Sequence, residues 1–379
     1  MKIPYGKQWI DEKDIKEVVK ILENDWITQG PMVEKFEQKV AEYCGVKYAV
    51  AVNSGTAALH AAYFAAGLKS EDEIITSPIT FTATSNAALY LGAKPIFCDI
   101  DIKTYCIDIE KIEEKITDKT KIITPVSYAG YPVNIDKIKE IADKYNLIVI
   151  EDAAHALGAI RNGKKVGIDA DMTILSFHPV KHITTGEGGM ILTNDEKYYE
   201  KLKLFRTHGI TKDKNKMLKN DGAWYYEMHE LGYNYRIPDI LSALGYSQMD
   251  KLEMFIERRN YIAKRYNEAF RNNHKITIPP VVDNNSRHAY HLYPLLINDK
   301  NKRKYVFDRL REEGIYAQVH YIPVHLQPYY QKNLGYKKGD YPIAEDFYSK
   351  EISLPMYPKM TEEEINYVIN TVDKILKEI

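Results

Sequence analysis

From Tyr48 to His155 the chain repeats one pattern, an apolar run, a break and a helical segment. That alternation restricts the fold more than any other feature of the sequence. "YAVAV" is followed by "NSGT" and the alanine-rich "AALHAAYFAAGL"; "EIITSP" precedes the helical "TATSNAALYLG". "KPIFCDID" and "KIITPVSYAG" read as strands, "IDKIKEIADKYN" as a helix, and "LIVIEDAAH" as a strand ending in acid. Strands alternating with helices predict an α/β fold with a mostly parallel sheet covered on both faces. Upstream, Asp14–Leu22 and Val33–Glu42 carry amphipathic helical patterns on either side of "NDWITQGP".

After Pro238 the rhythm changes. "DILSALGYSQMDKLEMFIERRNYIAKRYNEAFRNN" reads as one long helical stretch that connects domains. "HAYHLYPLLI" and "IYAQVHYI" read as strands, "RKYVFDRLREEG" and "TEEEINYVINTVDKILKEI" as helices. The expected organisation is a large unit over 1–248, including the N-terminal helices, and a smaller α+β unit over 249–379.

The 52 Lys and Arg balance 53 Asp and Glu, which gives no electrostatic case for nucleic acid or an anionic membrane. The N-terminal segment lacks the apolar core of a signal peptide, and no run reaches the length of a membrane span. Cys44, Cys98 and Cys106 form no CxxC pair and are odd in number, so free thiols in a reducing, cytoplasmic setting are expected and no metal site is.

Parallel sheets bind ligands at the carboxyl ends of their strands, and three segments place chemistry there. Asn53, Ser54, Gly55 and Thr56 stand between a strand and a helix start, where free amides and the helix dipole suit a phosphate; a plain Ser/Thr cap is the alternative. The segment is neither a P-loop nor GxGxxG. Glu151 and Asp152 end the strand "LIVIED" and His155 comes three residues on; Asp152 either caps a helix or meets a cationic ligand nitrogen. Lys181 lies alone between two strand-like runs in "TILSFHPVKHITTGEGGMIL". A phosphate cradle, a carboxylate for a ring nitrogen and a sheltered lysine are together what pyridoxal phosphate (PLP) requires. Phe81 offers a flat apolar neighbour for its ring.

The same stretches, with "ELGYNYRIPDILSALGYSQMDKL", resemble the DegT/DnrJ/EryC1/StrS aminotransferases along nearly the whole chain. The resemblance implies the aspartate-aminotransferase type of fold, a large parallel-sheet domain with a smaller α+β C-terminal domain. It makes Lys181 the Schiff-base lysine and Asp152 the partner of the pyridine nitrogen. It assigns Gly55, Thr56 and Ser176 to the phosphate, Phe81 to ring stacking, and His155 to the cofactor's phenolic oxygen. Asn234 of "GYNYR" is implied to reach the phosphate of a neighbouring subunit, hence a homodimer with composite sites. For a sugar nucleotide it points to Tyr5, to Thr28, Gln29 and Gly30, and to His320 and Tyr321. "SRHAYHLYPLLI" and "AQVHYIPVH" are most similar to members acting on the route to pseudaminic acid. These transfer an amino group from L-glutamate to carbon 4 of a UDP-linked 4-keto-6-deoxy-N-acetylhexosamine. Relatives with histidine at the lysine position dehydrate their sugar instead; this chain keeps lysine. A dehydratase on the same scaffold, a D-xylo keto sugar, or a sensor without turnover are the competing readings.

Overall fold

Seven of the apolar runs pair into one sheet: β1 (Tyr48–Val52), β2 (Glu73–Thr76), β3 (Lys94–Phe97), β4 (Thr120–Thr124), β5 (Ile148–Asp152), β6 (Met172–Ser176) and β7 (Gly189–Thr193). The computed structural model describes residues 1–23 and 26–379; Asn24 and Asp25, which open the NDWITQGP connection, lie outside them. Strand order is β1-β7-β6-β5-β4-β2-β3. Only β7 runs against the others, pairing antiparallel with β6 on one side and β1 on the other. Gly189 therefore stands opposite both Val52 and Ser176. The connection from β6 to β7 must fold over the carboxyl edge of the sheet, and Lys181 is on it.

Helices cover both faces, as the alternation predicts. Helix α1 is Glu12–Leu22, α2 is Pro31–Cys44 and α3 is Gly55–Ala65. Val50 and Val52 of β1 turn into one core with Ala58, Ala61 and Ala62 of α3. Ala49 and Ala51 turn into the other, with Phe36 and Val40 of α2. This is the period-two alternation of a strand buried on both sides. The alanines of α3 let that helix sit close against the sheet, so its N-terminus is fixed at the carboxyl end of β1.

The long helical stretch after Pro238 is two helices, α4 (Asp239–Met249) and α5 (Leu252–Phe270). The break falls at Asp250 and Lys251, which are occupied by distant partners: Asp250 pairs with Lys13 and Lys39, and Lys251 with Asp11 and Asp14.

A second core gathers Ile262, Tyr266, Tyr293, Leu295, Ile352 and Val368 around a three-stranded antiparallel sheet. Ile3 is fully buried in it. Ile3–Pro4 pairs in parallel with Ile315–Tyr316, so the first residues, counted above with the larger unit, pack against the later one. "IYAQVHYI" keeps only Ile315–Tyr316 as strand, because Gln318 bridges to Ser353 and the chain then bends toward Glu351. Among the described residues no helix is long and apolar enough to cross a membrane, and all three cysteines are buried and free.

Candidate active site

The carboxyl ends of β1, β5 and β6 open into a cavity of about 750 Å3. At one end is the N-terminus of α3. Ser54 caps it, its hydroxyl accepting from the Ala57 N–H at 3.0 Å. The following amides, of Gly55 and Thr56, are left without intrahelical partners and line the cavity with Ser176. Close approach is built in: a Cβ on Gly189 would lie 2.4 Å from the Ser54 carbonyl oxygen, and one on Gly55 would lie 3.2 Å from Ser176 Cβ. The glycines of the lysine segment thus allow the reversed strand to press against the phosphate-type loop.

Asp152 ends β5 inside the cavity, 5 % exposed. Thr84 donates to Oδ2 at 2.6 Å and the Ala154 N–H to Oδ1 at 3.1 Å. Burial raises its pKa, with those hydrogen bonds and the Lys181 charge opposing. No cation among the described residues reaches ion-pair distance, so the carboxylate is aimed at a partner the chain does not supply. A protonated pyridine nitrogen would match that carboxylate, and the unpaired α3 amides suit the phosphate of the same molecule. Glu151, one residue earlier, faces the opposite side of the sheet and takes a 2.6 Å hydrogen bond from Ser127.

Lys181 enters from the β6–β7 connection. Burial, with the nearby Arg259 charge, brings its amine down to about 8, while Asp152 pulls the other way. Arg259 of α5 is fully buried and has no carboxylate partner; it donates to the carbonyls of Tyr290, His291 and Met356 at 3.1, 3.2 and 2.9 Å. Its positive charge stays inside the wall behind the lysine.

The far wall is aromatic and imidazole. Phe81 keeps 60 % of its surface open at the cavity, with Tyr321 6.1 Å away between ring centres. The Ala129 N–H donates to His155 Nδ1 at 3.3 Å. A backbone amide can only donate, so the neutral ring carries its proton on Nε2, which donates to Tyr321 Oη at 3.1 Å. His155 is held far below the ordinary histidine range, chiefly by burial. Tyr5 and His320 close the wall, their rings 5.3 Å apart.

Gly55, Thr56, Phe81, Asp152, His155, Ser176, Lys181, Tyr5, His320 and Tyr321 therefore meet in one cavity. Four predicted residues do not. Gln29 and Gly30 line a separate cavity of about 310 Å3 with Arg206 and Arg236, and Thr28 is exposed beside them. The cause is Asp239 at the start of α4, whose buried carboxylate takes the N–H groups of Gly30 and Met32 at 2.7 and 2.8 Å. Asn234 is exposed outside the Lys181 cavity; its carbonyl accepts from the Asn53 side chain at 3.4 Å. Sequence reasoning also missed Thr84 and His291. Nothing near Thr84 marks it, whereas the two histidines of "HAYHLY" inside an apolar run were a usable signal.

The sequence profile of the DegT/DnrJ/EryC1/StrS aminotransferase family matches residues 8–373. The chain belongs to that family. It is 40 % identical to the UDP-4-amino-4,6-dideoxy-N-acetyl-beta-L-altrosamine transaminase of Campylobacter jejuni, over 100 % of this chain and 98 % of that one. It is also 40 % identical to the spore coat polysaccharide biosynthesis protein SpsC of Bacillus subtilis, over 99 % and 97 %. Spr1654 of Streptococcus pneumoniae, solved in a PLP form, superposes with a TM-score of 0.94 at 31 % identity, over 100 % and 99 % of the two chains. This DegT/DnrJ/EryC1/StrS enzyme is thus a PLP-dependent sugar aminotransferase with the α/β fold of its relatives, and the cavity's chemistry matches that cofactor.

Proposed function

We propose that the enzyme transfers the amino group of L-glutamate to carbon 4 of UDP-2-acetamido-2,6-dideoxy-β-L-arabino-hex-4-ulose. The product is UDP-4-amino-4,6-dideoxy-N-acetyl-β-L-altrosamine, used for pseudaminic acid. The observation that carries this reading is the end-to-end 40 % match to the Campylobacter jejuni transaminase, on a chain whose Lys181 and Asp152 share one cavity.

Bound PLP supplies an electron sink for the carbanion formed at the amino-bearing carbon. Lys181 anchors it and, as a free neutral amine, moves the proton at carbon α of the donor and later at carbon 4 of the sugar. Asp152, oriented by Thr84, keeps the ring nitrogen protonated. Gly55, Thr56 and Ser176 hold the phosphate, Phe81 covers the ring and His155 secures the wall beside it. Tyr5, His320 and Tyr321 take the sugar.

The remaining residues belong to a homodimer with composite sites. Asn234 faces outward next to a ribbon that exposes Leu218, Trp224, Met228 and Leu231, each more than 60 % open. Apolar surface of that kind on one segment marks an interface. A second copy covering it brings Asn234 to the partner's cavity, while Thr28, Gln29 and Gly30 are kept as residues for the sugar nucleotide. The buried free thiols and the neutral charge balance suit the cytoplasm.

Incubation with glutamate and, separately, the β-L-arabino and D-xylo keto sugar nucleotides, with products identified by mass and NMR, tests the reading. Amination of the β-L-arabino sugar is expected. Amination of only the D-xylo sugar, or loss of water without amine transfer, overturns it.

A further inference from the structure

Behind the cavity wall His320 is held by two buried side chains that do not line the cavity. Its backbone N–H donates to Glu351 Oε2 at 2.8 Å, and its ring Nδ1 lies 2.8 Å from Ser353 Oγ. The Ser353 hydroxyl donates to Glu351 Oε1 in a short hydrogen bond. Both are fully enclosed on the strand Glu351–Leu354, whose alternation puts them on one face. The order is carboxylate, hydroxyl, imidazole. Serine is the middle link, so it is no nucleophile for the cavity.

A serine hydroxyl has one proton. With that proton given to the carboxylate, only an Nδ1–H of His320 fills the contact to Ser353, and Nε2 is left bare. Among the described residues Nε2 has no partner, and the ring lines the cavity. We infer that Glu351 and Ser353 are positioning residues that fix the proton of His320, making Nε2 a hydrogen-bond acceptor for an O–H or N–H of the sugar. Tyr321, the next residue, is wired the opposite way: it accepts from His155 and keeps its own proton to donate. Two adjacent side chains thus offer the ligand one acceptor and one donor. The ligand's identity rests on the sugar-nucleotide reading above; the placement of the proton does not.

Around the Glu351 carboxylate stand the phenols of Tyr105, Tyr128 and Tyr321 and the Arg303 guanidinium. Burial pushes Glu351 up to about 8, so the test is run at about pH 9, where the carboxyl is ionised. Holoenzyme labelled with 15N-histidine should show His320 protonated on Nδ1 and bare on Nε2, the signals assigned by their loss in His320→Gln. Glu351→Gln keeps the shape but turns an amide donor toward Ser353, which reverses the chain and moves the proton to Nε2. Ser353→Ala cuts the chain and should leave a mixture of tautomers; Ser353→Thr should restore the native one. With the UDP-linked 4-keto sugar as probe, Glu351→Gln should raise the sugar KM about tenfold, with a much smaller change in kcat. A protonated Nε2 in the native enzyme, or a tautomer unmoved by both Glu351→Gln and Ser353→Ala, overturns the inference. The expected tautomers in an enzyme that turns over no keto sugar would uphold the relay and remove the sugar reading instead.

Discussion

His291 Nε2 lies 3.4 Å from Nζ of Lys181. Burial holds that imidazole well below the ordinary histidine range, so the ring beside the lysine is neutral and adds no positive charge against it. Lys181 is brought from 10.5 down to about 8 by its own burial and the charge of Arg259. Between those values the unfolded chain holds a proton that the folded, cofactor-free protein lacks. Folding stability therefore rises with pH across that window; the penalty is full below the lower value and gone above the upper one. Urea unfolding of the apoprotein against Lys181→Met should show the variant's advantage shrinking by on the order of 3 kcal/mol from pH 8 to 10.5. A constant difference would mean that the amine titrates as an ordinary lysine. Borohydride treatment of the holoenzyme should also leave the cofactor on the peptide that contains Lys181.

The Thr84–Asp152 contact ranks two substitutions. Asp152→Asn removes the charge that keeps a ring nitrogen protonated, and turnover should fall at least about 100-fold while cofactor is still bound. Thr84→Val leaves the charge but frees the carboxylate to turn, and a loss of roughly tenfold is expected. Steady-state kinetics with cofactor content measured by absorbance checks both. Near-normal turnover in Asp152→Asn would reduce that residue to a cap of the turn after β5, where no helix begins.

Gly189→Ala tests the close packing of the reversed strand on the phosphate loop. Its methyl would meet the Ser54 carbonyl oxygen and carbon at 2.4 and 2.6 Å, backbone that cannot turn aside as a side chain can. A stability loss of about 1–3 kcal/mol and weaker cofactor retention are expected, read by thermal unfolding and by dialysis. Unchanged retention would show that the loop holds no phosphate.

Asn234 is tested by mixing two inactive chains, Lys181→Ala and Asn234→Asp. If Asn234 serves the partner's site, a heterodimer has one cavity with both lesions and one with neither, and part of the activity returns. The Asp substitution sets a carboxylate against a phosphate, so the single variant should be inactive. Differently tagged chains establish that exchange has occurred. No recovery in a proven heterodimer would confine Asn234 to its own chain or remove it from the site.

The strands and their carboxyl-end residues were legible because a strand buried on two faces reads as an unbroken apolar run, and its polar terminus stands out. Asp152, Ser176 and the Asn53–Thr56 turn all follow that rule. What stayed hidden depends on partners far away in sequence. Asp250 and Lys251 are acceptable helix residues, and only the charges of Lys13, Lys39, Asp11 and Asp14 show why the helix breaks there. Thr28–Gly30 lies where Asp239 puts it, and "IYAQVHYI" has strand alternation but beyond Tyr316 makes a single bridge, Gln318 to the distant Ser353. Local pattern carries no information about such contacts.

The pairing of Ile3–Pro4 with Ile315–Tyr316 has a consequence for the order in which the protein is made. Tyr5, a wall of the cavity, follows that strand directly, and its carbonyl is held by the Met356 N–H at 2.9 Å. Both anchors leave the ribosome long after β1 to β7 are available to pair. The sheet, with Lys181 and Asp152 in place, can assemble while the cavity still lacks that wall, since its closure waits on contacts of very long sequence separation. A nascent chain paused before Ile315 would present the cavity open on the side that Tyr5, His320 and Tyr321 later close.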